Sequence, residues 1–131
     1  MLFDTSIWID FLKGTKTAKT NHLEDCLFNG NIYMCPPVFQ EILQGIRTDK
    51  EYKEIQSLIT LGIEKLENDP FAAAEGAATL YRSLKNKGLT VRRPNDCLIA
   101  WYSISHNCQL VHNDVDFDVI AQHFPLDCWE E

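Results

Sequence analysis

The chain has 131 residues, is 45% hydrophobic and 24% charged, and carries a formal net charge of −7. Such a length supports one domain with a sizeable core, so residues 1–131 are expected to fold as a unit. No run is long and apolar enough to span a bilayer, and no basic-then-apolar leader opens the chain, which together predict a cytoplasmic protein with no membrane partner.

The acidic balance argues against a broad nucleic-acid-binding surface, which leaves a basic footprint, unless basic residues gather locally or an acidic pocket holds cations. The five cysteines (Cys26, Cys35, Cys97, Cys108 and Cys128) are scattered, odd in number and contain no C-x-x-C pair. Their pattern predicts buried free thiols rather than a disulfide framework or a zinc site.

In chain order, Met1–Phe3 is apolar and too short for an exposed face, as in a strand buried in a parallel sheet. Asp4 marks a turn, and Ile7, Trp8, Phe11 and Leu12 then recur at helical spacing. Residues 13–20 are polar and basic, a loop or a lead-in to a helix over 21–28 with Leu23, Leu27 and Phe28 on its apolar side. Asn29-Gly30 stops that helix. Residues 31–35 form a second apolar strand, ended by Pro36-Pro37, which starts a helix reaching Ile46.

Residues 50–61 follow as a more polar helix with Tyr52, Ile55, Leu58 and Ile59 as its stripe. A short third strand is expected over 63–66. Asp69-Pro70 opens the best-specified helix, 70–87, with Ala73, Ala77, Leu80 and Leu84 in register and Gly88 as its stop. Residues 89–93 read as a loop, 94–106 as a helix apolar nearly all round, and 109–112 as a fourth strand. Residues 113–118 read as the loop after it, 119–123 as a helical turn and 125–129 as an edge strand. Strands alternating with helices predict an α/β fold, a parallel sheet of four to five strands sandwiched between helices in three layers.

Acids fall at four places along this order. Asp4 follows the first strand, Glu41 lies near the start of the helix after the second, Asp96 lies in the first turn of the buried helix, and Asp114 and Asp116 follow the fourth strand. Strand ends and helix starts share one edge of a parallel sheet, so these places can converge. Crowded carboxylates repel one another unless cations neutralise them, and oxygen-only pockets suit Mg²⁺ or Mn²⁺. The chemistry such a pocket serves is metal-assisted phosphodiester hydrolysis.

Each acid also has an ordinary explanation: helix capping for Asp4, complementing a helix dipole for Glu41 and Asp96, solvated loop for Asp116. Asp10 and Asp25 read as solvated helix surface. A calcium loop over 114–125 is excluded, because it needs Gly where Val119 stands and Glu where Pro125 stands.

The four acidic blocks, Asp4-Thr5-Ser6, Phe39-Gln-Glu41-Ile-Leu-Gln-Gly45, Asn95-Asp96-Cys-Leu-Ile-Ala100 and Asn113-Asp114-Val-Asp116-Phe117, together resemble the PIN-domain nucleases, and more narrowly the VapC-type toxins of type II toxin–antitoxin pairs. The resemblance runs from Met1 to about Asp127. It implies a PIN-like fold, a catalytic quartet of Asp4, Glu41, Asp96 and Asp114 that holds Mg²⁺ or Mn²⁺, Asp116 as a supporting ligand, and Ser6 steadying Asp4.

The resemblance further implies a metal-dependent endoribonuclease that cuts structured RNA, tRNA or rRNA, with a water activated by the metal. It implies a homodimer, and a higher assembly with a VapB-like antitoxin that blocks the pocket. One position departs from the family, which commonly has Thr or Ser two residues before the last-block Asp, where this chain has His112. That histidine is either a phosphate or metal-water contact or a tolerated replacement. Arg92, Arg93 and Lys13 are the candidate RNA contacts, whereas Trp8, Trp101 and Tyr102 lie on apolar faces and read as core.

Competing enzyme classes fit less well. A haloacid-dehalogenase-type phosphotransferase wants a second Asp where Ser6 stands, and a receiver-type phosphoacceptor wants paired acids after the first strand and a Lys after a late one. A catalytically silent interaction domain of the same fold remains as the non-enzyme alternative, and it is weakened by the presence of the whole quartet.

Overall fold

The computed structural model describes residues 1–131. Strand β1 (Leu2–Phe3) is wholly buried and ends at Asp4, whose extended backbone (φ −62°, ψ 156°) turns the chain into α1 (Thr5–Leu12). Helix α2 (Ala18–Asn29) is opened by a capping box in which Thr17 and Thr20 satisfy each other's backbone amides, and Gly30, at φ 78°, takes the left-handed conformation that stops it. Strand β2 (Tyr33–Met34) runs into α3 (Pro36–Gln44), with proline in the first turn where its missing N–H costs nothing.

Helix α4 (Asp49–Gly62) is capped by Thr48, and β3 (Glu64–Lys65) follows it. Asp69 caps α5 (Pro70–Asn86). Then come α6 (Pro94–Ser105), β4 (Leu110–Val111) and α7 (Val115–His123).

The four strands are parallel and ordered β3-β2-β1-β4, with Leu2 opposite both Tyr33 and Leu110, and Phe3 opposite Val111. The chain steps outward from β1 to β2 and β3, then returns to place β4 on the other side of β1. Right-handed crossovers put the helices of those two excursions on opposite faces of the sheet, which gives the three-layer α/β/α sandwich. The reversal also opens a crevice at the carboxyl ends of β1 and β4, the place where open α/β sheets bind ligands. Asp4 and Asp114 flank it.

Helices α5 and α6 form the most extensive helix pair. Their close approach depends on Gly76, where any Cβ would overlap the Trp101 indole. No helix is long and apolar enough to cross a membrane, and all five cysteines are free, with only Cys128 not fully buried.

Several expectations need correction. Residues 113–118 are not all loop: α7 begins at Val115, because the Asp114 side chain accepts the Asp116 backbone N–H and caps the helix. Helix α2 starts three residues before Asn21, so its buried line is Thr20, Leu23 and Cys26. Phe28 lies about 140° around the helix from Leu23 and is 96% exposed rather than on the packed side. On α4 only Ile59 of the expected stripe is buried, and Tyr52 and Leu58 face solvent. The edge strand over 125–129 reduces to one parallel bridge between Leu110 and Cys128, made by Leu110 N–H to Asp127 C=O and Trp129 N–H to Leu110 C=O, both 2.8 Å.

Candidate active site

Asp4 is 2% exposed at the end of β1, and its backbone N–H donates to the Val111 carbonyl at 2.9 Å, which fixes it level with the end of β4. Ser6, the second residue of α1, donates both its hydroxyl (2.8 Å) and its backbone N–H (3.4 Å) to Asp4 Oδ2. Beside it, the buried Thr5 hydroxyl donates to Glu41 Oε1 at 3.2 Å, tying the second turn of α3 to the start of α1. Burial and the neighbouring Asp4 charge push the Glu41 carboxyl above its usual range, against the lowering pull of the Thr5 hydrogen bond.

From the other side of the crevice, α6 delivers Asp96 and α7 delivers Asp114 and Asp116. Oxygens of these three carboxylates lie within 4.8 Å of one another. Asp96 is 1% exposed, and burial, reinforced by the charges of Asp4 and Asp114, raises its pKa to about 6 despite the Arg93 guanidinium. Burial alone would raise Asp114 too, but the Asp116 backbone N–H and the Arg92 guanidinium hold it below the ordinary carboxylate range. The Asp4 charge is felt by Asp96, Glu41 and Arg93, so the two halves of the site share one field.

Arg92 and Arg93, the candidate RNA contacts, are engaged with these acids. Arg92 Nη2 donates to Asp114 Oδ1 at 3.0 Å and its Nε to Asp116 Oδ2 at 3.3 Å. Arg93 Nη2 donates to Asp114 Oδ2 at 3.0 Å and its Nε to Asp96 Oδ2 at 3.3 Å. Both side chains remain more than half exposed, at 70% and 52%. Lys13, by contrast, sits at the far end of α1, about 12 Å of helix from the Asp4 turn, and nothing brings it to the cluster.

Two residues outside the candidate site set belong to this edge: Thr5, and Lys19, one of the basic residues expected only to rim it. Thr5 holds Glu41, and its place between Asp4 and Ser6 was the available signal. Lys19 donates from Nζ to the His112 carbonyl (2.7 Å) and Asn113 Oδ1 (2.8 Å), joining α2 to the turn after β4. Nothing in a lone helix lysine signals such a long-range contact.

His112 itself is buried. Its Nδ1 accepts the Asp114 backbone N–H at 3.1 Å, and Nε2 lies 3.4 Å from Asp118 Oδ1. Burial pushes its pKa below the usual imidazole value, keeping the ring neutral at pH 7. The nearby thiols are chemically quiet: burial pushes Cys97 up to about 11 and Cys35 up to about 12.

The donor set fits a hard divalent cation. It is all carboxylate oxygen, and it is preassembled on two helix starts.

A PIN-domain family model matches residues 1–122. Ribonuclease VapC11 of Mycobacterium tuberculosis is 36% identical over 124 residues, covering 93% of this chain and 92% of that protein. Ribonuclease VapC2 of Rickettsia felis is 27% identical over 135 residues, covering 99% and 98%. Among solved structures, VapBC-1 from nontypeable Haemophilus influenzae aligns with a TM-score of 0.73 at 18% identity, covering 98% of this chain and 96% of that one. VapBC2 from Rickettsia felis, bound to a promoter DNA fragment, aligns with a TM-score of 0.70 at 22% identity over 98% of each chain. The structural likenesses speak for the fold, the sequence likenesses for descent, and both agree with the crevice described above: the chain belongs to the PIN-domain family, among its VapC-type members.

Proposed function

We propose that residues 1–131 act as one PIN domain, the toxin of a type II toxin–antitoxin pair: a Mg²⁺- or Mn²⁺-dependent endoribonuclease that hydrolyses phosphodiester bonds in structured RNA, tRNA or rRNA. The observation that carries the reading is the carboxylate cluster of Asp96, Asp114 and Asp116, set across one crevice from Asp4 and Glu41 in a chain whose relatives are named ribonucleases.

Asp4, Asp96, Asp114 and Glu41 would hold the cation, with Asp116 supporting. When bound, the cation supplies Lewis-acid charge at the scissile phosphate and makes water a nucleophile at neutral pH. Ser6 keeps Asp4 in place and Thr5 keeps Glu41 in place. Arg92 and Arg93, long and mostly exposed, are placed to exchange their carboxylate partners for RNA phosphates.

The named complexes of the structural relatives support a VapB-like antitoxin as partner. Apolar side chains left in solvent on α2 and α4 (Phe28, Leu58 and Leu61) offer surface for protein contacts. Homodimer formation and a cytoplasmic location complete the proposal.

A second reading, a silent interaction domain, draws on one observation: the two arginines already neutralise much of the acidic cluster. The deciding experiment is incubation of the purified antitoxin-free protein with total tRNA and rRNA in Mg²⁺ or Mn²⁺, and again in EDTA. Discrete cuts that vanish with EDTA support the nuclease; intact RNA with both metals, alongside no metal binding by calorimetry, supports the silent domain.

A further inference from the structure

We infer that His112 is a positioning residue, which fixes the turn between β4 and α7 by accepting the Asp114 backbone N–H and so aims the Asp114 carboxylate into the acidic cluster. The inference deepens the nuclease reading and rests on it for the importance of Asp114.

The first backbone amides of a helix lack intrahelical acceptors. A capping box satisfies the N-cap amide with a polar side chain three residues into the helix, as Thr20 does for Thr17 at the start of α2. At α7 the N-cap is Asp114 and the equivalent position is Phe117, which has no acceptor to offer. His112 supplies one from the strand side instead, with Nδ1 at 3.1 Å.

An amide N–H can only donate, so Nδ1 must be the unprotonated ring nitrogen and Nε2 carries the hydrogen, facing Asp118 Oδ1 at 3.4 Å. The ring is further held against the fully buried Phe117, with centroids 5.0 Å apart at 48°, and the His112 carbonyl is held by Lys19. Its amide thus held from behind, Asp114 presents Oδ1 to the Asp116 N–H and Arg92, and Oδ2 to Arg93. With Nδ1 engaged and Nε2 protonated, the ring has no lone pair left for a cation. Its work is on Asp114, not on the metal or the phosphate.

Two substitutions separate this role from packing. In His112→Asn the amide oxygen can stand where Nδ1 stands, whereas in His112→Gln the amide lies where Nε2 stands. Both lose the ring against Phe117, so both lower thermal stability to a similar degree. Amide hydrogen exchange by NMR should find Asp114 N–H protected in the wild type and in His112→Asn, and fast in His112→Gln. Titration with Mn²⁺ by calorimetry should find affinity about 10- to 100-fold weaker in His112→Gln but within about threefold of wild type in His112→Asn, the range for losing a group that orients a ligand.

Phe117→Leu serves as the packing control, expected to lower stability while leaving Mn²⁺ affinity unchanged. Equal Mn²⁺ affinity in the two His112 variants, or equal Asp114 exchange, overturns the inference. If the wild type takes up no Mn²⁺, the nuclease reading fails, and the exchange of Asp114 alone decides whether His112 holds that amide.

Discussion

Asp116 grips Arg92 twice: its Oδ2 accepts the Arg92 backbone N–H at 3.1 Å and the Arg92 Nε–H at 3.3 Å. The first bond fastens the loop before α6 to the start of α7, and so fixes where Arg93 and Asp96 stand. The second leaves the Arg92 guanidinium on the carboxylates that a divalent cation would use. Asp116 is therefore an anchor of the site's framework as well as a candidate ligand.

Competition between Arg92 and a cation has a measurable consequence. In Arg92→Gln the cluster loses a positive charge, so Mn²⁺ should bind more tightly in the absence of RNA, by no more than about fivefold given how exposed the ion pair is. RNA affinity should fall in the same variant and its dependence on salt should weaken. Calorimetry and filter binding read the two effects; weaker Mn²⁺ binding in Arg92→Gln would mean that Arg92 builds the cation site instead of competing for it.

Asp96 gives the fold a pH dependence of definite sign. Burial lifts its pKa from an ordinary 3.8 to about 6. Between those values the folded chain holds more protons than the unfolded chain, so stability falls as pH rises through the window and stays low above it. Asp96→Asn removes this penalty. Urea denaturation in metal-free buffer should find the variant equal to wild type below about pH 4 and more stable above about pH 6, by up to about 3 kcal/mol. Equal stability at pH 7 would contradict the strained carboxylate.

The packing of α5 on α6 makes a different prediction. Alanine in place of a helix glycine ordinarily gains about 1 kcal/mol, yet a Cβ at Gly76 would overlap Trp101. Overpacking of this kind costs about 1–3 kcal/mol, so Gly76→Ala should lower the melting temperature. Trp101→Leu should restore part of the loss when added to Gly76→Ala but not when introduced alone. A melting temperature raised by Gly76→Ala would show that the interface yields easily.

Much of this architecture is legible in the sequence because local signals and burial agree. Met1–Phe3 has no polar position to expose, Asp4 breaks it, and Pro36 and Pro70 are preorganised for a first helical turn, so β1, α1, α3 and α5 fall where expected. The start of α7 is legible only in retrospect, since alternating Asp114, Asp116 and Asp118 read as a loop although an Asp cap followed by acids in the first turn is also a helix start. The outward turn of Phe28 follows from helical spacing alone, since five residues separate it from the buried Leu23 and turn it about 140° away. The four acidic places could be seen to share an edge; the salt bridges of Asp114 and Asp116 with Arg92 and Arg93 could not, because those join residues 21 to 24 positions apart through the sheet's topology.

The most direct test of the account compares RNA cleavage by wild type, Asp4→Asn and Asp10→Asn in Mn²⁺, with folding of each checked by thermal denaturation. Asp4 is buried at the crevice and held by Ser6, whereas Asp10 lies farther along α1, half-buried and away from the cluster. The account predicts that Asp4→Asn folds and cuts at less than about one-hundredth of the wild-type rate, while Asp10→Asn cuts at nearly the wild-type rate. Full activity in Asp4→Asn would contradict it.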